Sequence, residues 1–528
     1  MTEQQFFARK ASGLVRNIST SDAMMFNILL MGVNWTFVYI VFDAVLYPGV
    51  NIPLTQIIAA PLVVVVALTM TLLAVSMPRA GGDYVWVSRS IHPYVGFIES
   101  FTMLLVVCGW TGTLGAIGIG PGLSALLIDW GTLTNNSAMV SSAATIITPT
   151  TIFLVVLVLM LFTALLNVGG TKLVFRFCWI LFAFSLLGVF LFSGVMLAAG
   201  HDVFVARFNQ LSGTNYNTII NAAQSAGYNT GLNISGTLFG MVYAFVIYFG
   251  FAWSSYFSGE MKDTYRSQLI AIVGGVILFM IITWLPYQVA YMVAGQPFIH
   301  AASWLWGNGN AAWVLPEAPY LHYLIIFATA NPWIAAIVVL SLIGLGVSSL
   351  AQYWYMASRV LFAMSFDRIL PSAISQVDSR FHAPRYALVL MFVLMIPFVY
   401  LGAFTTFLNY TAYTNVIVWL IVTIIGLAAA VFPYRRKDIF DKAPGLARKM
   451  IGSVPLITIL GILTMVISMF VSISQSLPQF TGSPLNPYYV GGALCTFLPG
   501  IIYWPIAAWY NKRRGLDMSI AFHEIPPL

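Results

Sequence analysis

Residues 243–260 read YAFVIYFGFAWSSYFSGE, an apolar, aromatic-rich run that is interrupted by one glycine and then by serines. A helix inside a membrane satisfies its own backbone polar groups, whereas Gly250 can leave helical dihedral angles at little cost. A break at Gly250 would free carbonyls and amides, which a membrane protein tolerates where they line a cavity or are buried in protein. We therefore hypothesise a discontinuous helix that holds a substrate. The alternative is a glycine that lets two helices pack closely.

Composition places the chain among membrane proteins. Of its 528 residues, 60% are hydrophobic and 7% are charged, whereas globular proteins carry about 25% charged residues. The cysteines Cys108, Cys178 and Cys495 lie in apolar runs without the spacing of metal ligands, so we interpret them as packing residues. Residues 1–22 contain no apolar core, and we expect no cleavable signal peptide. The sequence thus predicts an all-α polytopic membrane protein.

Twelve stretches are apolar enough to be membrane helices, which need about 20 residues each. They span residues 24–46, 54–77, 94–119, 148–168, 173–199, 234–257, 268–294, 324–356, 386–403, 407–432, 451–473 and 489–510. Of the 23 lysines and arginines, 22 fall in loops on one side, and only Arg207 falls on the other. Because cytoplasmic loops are rich in these residues, we expect both termini in the cytoplasm and the protein in the plasma membrane, in contact with lipid. The net charge of +7 is then a topology signal, and no nucleic-acid partner is expected.

Two of the predicted helices are interrupted at matching positions. Gly32 lies within LLMGVNWTF of the first helix, and Gly250 lies in the sixth, five helices later. Paired interruptions indicate a transporter with two inverted repeats, because an odd offset makes the second repeat enter the membrane from the opposite side. The predicted organisation is a cytoplasmic N-terminus at residues 1–22, five-helix repeats at 23–200 and 234–433, helices eleven and twelve at 451–511, and a cytoplasmic C-terminus at 512–528.

The loop after the second predicted helix carries a specific motif. Pro78–Arg89 reads PRAGGDYVWVSR and resembles the signature of the amino acid–polyamine–organocation family. Phe249–Asp263, Ser358–Pro371 and Phe381–Pro384 are similar to that family's sixth helix, the end of its eighth and the entry to its ninth. The resemblance covers about residues 20–515. It implies a sodium-symporter-like fold of twelve helices, with a 5+5 inverted repeat plus two C-terminal helices, that transports amino acids or related amines.

The same resemblance implies a binding site at the two interruptions. Backbone amides and the side chain of Asn34 would bind a substrate carboxylate, and carbonyls near Gly250 would bind its ammonium group. Trp253 would form a wall or gate of the site, with a lipid-facing ring as the alternative. The family's first helix usually carries several glycines, and Trp35 beside the single glycine here predicts a smaller or differently placed pocket. The predicted substrate-binding residues are Met31, Gly32, Val33, Asn34, Phe249, Gly250, Phe251 and Trp253.

Energy for transport would come from an ion gradient or from the substrate gradient, because the sequence has no phosphate-binding GxxxxGK[ST] loop. Ser348 and Ser349 resemble the paired hydroxyls of a sodium site in sodium-coupled relatives, or they are small packing residues. Proton-coupled relatives carry a lysine where this chain aligns Ser185. Glu99 is an acidic coupling candidate, but like Asp43 it lies near a predicted helix end, where we expect solvation. We predict Na+ or H+ as the coupling ion and no other cofactor or metal.

Charged residues in and after the signature loop are candidates for a cytoplasmic gate. We expect Asp83 to pair with Arg79 or Arg89, and Glu260 to pair with Lys262. The alternative is that these charges set the membrane topology alone.

The function that this sequence favours is a permease, a secondary active transporter of amino acids or amines that works by alternating access. An enzyme is disfavoured because histidines and acids do not converge at membrane depth. A substrate sensor, or an exchanger without net ion-driven uptake, is the alternative on the same fold. The partners expected are the small-molecule substrate and the lipid bilayer, and no oligomeric state is predicted.

Overall fold

The computed structural model describes residues 16–378, 380–381, 383–405, 414–477, 487–516, 518 and 522. Helices dominate these residues, and the sheet among them is a hairpin that pairs Met450–Ile451 (β1) with Val454–Pro455 (β2). The parts of the predictions that concern residues 1–15, 382, 407–413, 517, 519–521 and 523–528 fall outside the described residues. For the described chain, the predicted all-α fold class is confirmed.

The N-terminal part of the described chain forms ten helices. They are α1 (Thr20–Met31), α2 (Thr36–Leu46), α3 (Ile52–Ser76), α4 (Asp83–Ser90), α5 (Pro93–Leu114), α6 (Gly120–Leu133), α7 (Ser137–Ile146), α8 (Pro149–Val168), α9 (Thr171–Leu211) and α10 (Tyr216–Ser225). A 3₁₀ segment at Val33–Trp35 joins α1 to α2, and a π-helical segment at Gly115–Ile119 joins α5 to α6. α9 bends at Gly200, where φ is 70°.

The C-terminal part begins with a short helix and continues to residue 513. Its helices are α11 (Ile234–Ile247), α12 (Thr264–Gln268), α13 (Gly275–Ala290), α14 (Gln296–Gly307), α15 (Leu321–Leu324), α16 (Pro332–Phe366), α17 (Arg385–Phe404), α18 (Thr414–Arg435), α19 (Lys437–Phe440), α20 (Leu456–Ser474), α21 (Pro487–Cys495) and α22 (Leu498–Arg513). The 3₁₀ segments are Trp253–Tyr256, Ser258–Glu260, Ile325–Phe327, Ser372–Ser375 and Gly445–Arg448, and the π-helical segments are Leu269–Gly274 and Tyr291–Gly295.

Eleven helical runs among the described residues are long and apolar enough to cross a membrane. Each overlaps one of the predicted stretches. The remaining prediction, residues 234–257, contains α11, which has only 14 residues because the helix ends at Ile247. A multi-span membrane protein is therefore confirmed, while twelve crossings and the inverted repeat stay predictions.

Several of the long helices differ from their predicted bounds, among them the third and the eighth. The third prediction ended at residue 119, but α5 continues through its π-helical segment into α6 and reaches Leu133. The eighth prediction began at residue 324, whereas α16 begins at Pro332, where the side chain of Asn331 accepts a hydrogen bond from the amide of Trp333 at 2.9 Å. Proline also suits the first turn of a helix. The Asn331 cap and Pro332 together therefore set the start of α16.

Helix α16 is the central element, and it packs against α1, α6, α8, α9 and α17. Close helix contact elsewhere in the bundle depends on glycine. Gly112 of α5 and Gly402 of α17 are packed backbone to backbone, so a Cβ on Gly402 would collide with Gly112. Such small-residue contacts are typical of helices packed in a membrane.

Candidate functional site

The first predicted helix is interrupted at the predicted glycine. α1 ends at Met31, and Gly32 has a φ of 82°, which ordinary L-residues rarely adopt. The chain then makes a 3₁₀ turn and begins α2 at Thr36. The backbone between α1 and α2 therefore leaves the α-helical hydrogen-bond pattern at the buried residues Val33 and Asn34.

The sixth predicted helix is interrupted in the same way. α11 ends at Ile247, and Gly250 has a φ of 103°. The next regular segment is the 3₁₀ turn Trp253–Tyr256, and α-helix resumes only at Thr264. Composition alone would assign residues 243–260 to one continuous helix, but the structure has a break within them.

The two interruptions are in direct contact. A Cβ placed on Gly250 would lie 3.2 Å from Cδ2 of Leu30 and 3.5 Å from its backbone carbonyl carbon. Leu30 is two residues before Gly32, so the end of α1 and the break after α11 share one place in the bundle. A side chain at position 250 would be strained by the backbone conformation, and its Cβ would be in close steric contact with Leu30.

Side chains that the sequence did not single out hold the second break in place. Asn27 of α1 accepts a hydrogen bond from the amide of Ser254 at 2.8 Å and donates one to its hydroxyl at 3.0 Å. The Ser254 hydroxyl donates to Oε1 of Gln268 at 2.7 Å. Gln268 donates to the carbonyl of Ser254 at 3.0 Å and to the hydroxyl of Ser258 at 2.8 Å. These bonds replace the missing helical ones. A polar residue within an apolar run, such as Asn27, is the sequence signal that could have indicated them.

Aromatic rings line the break in the sixth helix. Phe249 packs edge to face on Trp110, with ring centres 5.0 Å apart. Trp253 lies 5.8 Å from Tyr353 of α16, and its side chain is only 4% exposed. The lipid-facing alternative for Trp253 is therefore wrong, and its ring is available as a wall of an internal site. A pocket beside Gly250 is lined by Phe249, Gly250, Phe251, Trp253, Asp83, Trp86 and residues of α3, α5 and α18.

The ring of Trp35 covers the break in the first helix. It lies against Gly32 and Gly118, so that a Cβ on Gly118 would approach its Cη2 to 2.9 Å. It also stacks on Tyr39 of α2 with ring centres 5.8 Å apart. Trp35 thus occupies space beside Gly32 that a substrate could otherwise fill, which is consistent with the predicted smaller pocket.

Asn34 points toward neighbouring helices. Its Nδ2 donates to the hydroxyl of Ser341 at 2.9 Å and to the carbonyl of Ser185 at 3.3 Å. Its Oδ1 has no hydrogen-bond partner in the described part of the chain. The sequence predicts that this amide group donates to a substrate carboxylate, but both of its hydrogens have partners in α9 and α16. The backbone amides next to Gly32 remain the candidates for that contact.

The paired serines of α16 are buried, and both hydroxyls donate to the carbonyl of Leu345, Ser348 at 2.7 Å and Ser349 at 3.0 Å. Their oxygen lone pairs stay available to a cation. One turn farther along, Gln352 donates to the carbonyl of Phe26 in α1 at 2.7 Å, so this part of α16 faces the first helix. A sodium site between the two helices stays a prediction.

The expectation that Asp43 and Glu99 are solvated is wrong. Asp43 is 1% exposed and Glu99 is fully buried, because α11, α13 and α14 cover the first and α4 covers the second. The Ser100 hydroxyl lies 2.8 Å from Glu99 and 3.3 Å from Asp83, so it bridges two buried carboxyl groups. Burial raises the pKa of Asp83, against hydrogen bonds from Tyr256, from the Tyr84 amide and from Ser100 that lower it.

The predicted gate residues pair differently from the prediction. Arg89 pairs with Asp367 at 2.7 Å rather than with Asp83, and the hydroxyl of Tyr84 donates to the same Asp367 carboxylate at 2.6 Å. Asp83 instead accepts a hydrogen bond from Tyr256 at 2.8 Å. Arg79 donates to the carbonyl of Pro78 at 3.0 Å.

Glu260 pairs with Arg359 at 2.9 Å rather than with Lys262, which is exposed. The hydroxyl of Tyr355 donates to Glu260 at 2.9 Å, and the Arg359 guanidinium lies 3.5 Å above the Tyr355 ring. Both pairs are buried and join residues far apart in the chain, which local spacing does not predict. They lie at the end of the bundle that carries the basic loops.

The comparisons with known proteins point in the same direction as the geometry. A family model described as "Amino acid permease" matches residues 18–495. The match begins before α1 and ends in α21, so it includes both interruptions and both buried ion pairs. A search of curated proteins found no match.

Proposed function

The chain belongs to the amino acid permease family, and from this premise we propose that it is a secondary active transporter that moves amino acids or related amines across the plasma membrane by alternating access. A member of a permease family is a transporter rather than an enzyme. The observation that carries the proposal is the contact between the two helix interruptions at Leu30 and Gly250.

That contact supports a single substrate site that offers both backbone amides and backbone carbonyls. Amides at the end of a helix interruption favour an anion, and free carbonyls favour a cation. An amino acid carries both charges on one carbon, so it would suit a site between the backbone of Gly32 and Val33, which follow Leu30, and the backbone of Gly250 and Phe251. The rings of Phe249 and Trp253 would then contact the side chain. Met31 and the backbone of Asn34 would complete the site from the first helix.

The buried ion pairs support a gate at the basic end of the bundle, which we propose is cytoplasmic together with both termini. Glu260 follows Gly250 by ten residues and pairs with Arg359 near the end of α16. Arg89 of α4 pairs with Asp367, just beyond α16. Movement of the sixth-helix segment would separate Glu260 from Arg359, which is costly because removing one partner of a buried pair costs about 3–5 kcal/mol.

Within this proposal the two five-helix repeats span residues 23–200 and 234–433, and α20 and α22 lie outside them. The coupling ion is Na+ bound at Ser348 and Ser349, or H+ bound at Glu99. The buried serine hydroxyls support the first, and the carboxyl pair bridged by Ser100 supports the second.

Uptake of radiolabelled amino acids into proteoliposomes tests the proposal. We expect saturable uptake that increases with an imposed sodium or proton gradient. Gly250→Leu should abolish it, because the backbone at Gly250 is left-handed and Leu30 is in contact. The matched control is Gly194→Leu on α9, where nothing lies within 4 Å of the added Cβ. Undiminished uptake by Gly250→Leu would overturn the site.

Two outcomes would favour the alternative functions on the same fold. Uptake that requires internal substrate and ignores both ion gradients would identify an exchanger. Saturable binding without uptake or exchange would identify a sensor.

A further inference from the structure

Asp43 is an acid of the first membrane helix that the proposed substrate site does not use. It lies in α2, eight residues beyond Trp35, which places it about 12 Å from the break along the helix axis. Its side chain is 1% exposed, and neither carboxyl oxygen has a hydrogen-bond partner among the described residues. An unpaired acid inside a membrane helix is expensive and is retained where it has a role.

The surroundings of Asp43 are aromatic. The titratable side chains that face it are Tyr47 just after α2, Tyr228 before α11, Tyr243 of α11, Tyr287 of α13 and Tyr291 of the π-helical segment after α13, and Tyr39 of α2 packs on Tyr243. His300 of α14 lies behind Tyr291, with its Nε2 2.7 Å from the Tyr291 hydroxyl. On the α15 side, His322 stacks on Tyr320, which contacts Phe42. In the described chain no lysine or arginine forms an ion pair with Asp43.

The tyrosine hydroxyls have other acceptors or none. Tyr228 donates to the carbonyl of Ala44 at 2.7 Å, and Tyr291 donates to the carbonyl of Val50 at 3.2 Å. The Tyr287 hydroxyl is buried without a partner in the described residues. Burial raises the pKa of Tyr228, which lies outside the membrane helices. A carboxylate in these surroundings is neither paired nor hydrogen-bonded.

The Asp43 carboxyl group lies at the contact between α2 and α11. A Cβ on Gly240 of α11 would lie 3.1 Å from its Oδ1 and would also collide with Val50. These two helices continue the two interrupted segments on the side of the breaks away from the basic loops. Packing at this contact leaves the carboxyl group against the backbone of α11, without space for a metal ion. A proton can neutralise the carboxylate there, because it needs no cavity.

We propose that Asp43 is a proton-binding site that controls the packing of α2 against α11. When the helices separate, the carboxylate is hydrated and releases its proton to the solution on that side. When they pack, a proton from that solution forms an O–H bond with the carboxylate, and the group is buried neutral, because burial of the charge would be far more costly. The packed form therefore binds protons more tightly, and low pH on the outer side favours it. The effect of this proton site on transport rests on the proposed transport function, but the test of the site does not.

Hydrogen–deuterium exchange of the purified full-length protein, corrected for the intrinsic effect of pH, tests the proposal. We expect the peptides of α2 and α11 in the wild type to exchange faster as pH rises, by up to about tenfold per pH unit, the limit for one proton. Asp43→Asn mimics the neutral acid and should keep both helices protected at every pH. Asp202→Asn, which changes an exposed acid of α9, should behave as the wild type does.

A wild type without a pH response in these peptides, or a response that survives in Asp43→Asn, would overturn the proposal. If Asp43→Asn does not fold, the smaller neutral variant Asp43→Thr gives the same comparison. The exchange measurement needs no transport. Absence of uptake in proteoliposomes would therefore count against the proposed function alone, and a pH response lost in Asp43→Asn would still support the proton site.

Discussion

Asn27 and Ser254 hold each other through two hydrogen bonds, one from the Ser254 amide at 2.8 Å and one to the Ser254 hydroxyl at 3.0 Å. The residues are 227 positions apart in the chain, and both are fully buried. Asn27 belongs to the helix before the first break, and Ser254 belongs to the segment after the second. A single side chain thus sets the position of one interruption relative to the other.

We expect Asn27→Ala to destabilise the protein and to weaken substrate binding together. Loss of the side chain leaves the Ser254 amide buried without a partner, which costs about 1–3 kcal/mol. Thermal unfolding in detergent and equilibrium substrate binding measure the two effects. Asn308→Ala removes an exposed asparagine whose side chain donates to the carbonyl of Trp304, one turn earlier, and it should change neither. Normal affinity in a destabilised Asn27→Ala would show that the bonds serve stability alone.

The buried pair of Glu260 and Arg359 is expected to give a large coupling energy in a double-mutant cycle. Glu260→Gln or Arg359→Gln alone leaves one buried charge without its partner and should cost about 3–5 kcal/mol. The double variant should cost much less than the sum of the two. Denaturant unfolding of the four proteins measures the cycle.

The exposed pair of Lys437 and Asp441 is the matched control for that cycle, with side chains 75% and 55% exposed. Exposed pairs contribute about 0–1 kcal/mol, so the control cycle should show little coupling. Additive effects of the Glu260 and Arg359 substitutions would contradict a structural role for the buried pair.

The interruptions themselves could be predicted from the sequence, but the partners of the charged residues could not. Gly32 and Gly250 were predictable because a left-handed backbone is a local property that glycine permits. Arg89 and Asp367 are 278 residues apart, and Glu260 and Arg359 are 99 apart. Charge counting assigns such residues to topology, and nothing local indicates that the end of α16 meets both loops.

The burial of Asp43 shows a second kind of limit. Distance from a predicted helix end placed it near an interface, where an acid is expected to be solvated. The outer segments α10 and α14, together with Tyr228, cover this end of the bundle, and they lie in stretches that read as loops. Depth in a membrane protein depends on such covering segments as well as on position along a helix.

Stability should fall as pH rises through the titration of Asp83. Burial raises its pKa above the ordinary aspartate value, which is about 3.9. The folded state therefore holds a proton that the unfolded state has lost, and this contribution to stability is complete at low pH and disappears as pH rises above the raised pKa. Asp83→Asn should remove that part of the pH dependence of the melting temperature, whereas Asp202→Asn should leave it in place. An unchanged profile in Asp83→Asn would contradict the assignment.

Substitutions at the two candidate ion sites should separate the coupling ions. If H+ is the coupling ion, Glu99→Gln should abolish the stimulation of uptake by a proton gradient and leave exchange of internal for external substrate intact. If Na+ is the coupling ion, the double variant Ser348→Ala and Ser349→Ala should remove the sodium dependence, because each hydroxyl oxygen that could bind the cation is lost. Uptake into proteoliposomes under each gradient alone measures both. Retention of full coupling in both variants would exclude these residues as the ion sites.

Replacing Trp35 should change which substrates compete for uptake. Its ring lies against Gly32 and Gly118, so Trp35→Phe should create space at the first interruption and allow larger amino acids to bind. Trp35→Ala should extend the effect, with a loss of stability of about 3–5 kcal/mol for a truncated core aromatic. Competition by amino acids of graded side-chain volume against one labelled substrate measures the shift. Trp333→Ala removes a tryptophan that is 66% exposed and should leave the size profile unchanged. If Trp35→Phe has the wild-type profile, the ring does not limit the pocket, and the substrate lies nearer to Phe249 and Trp253.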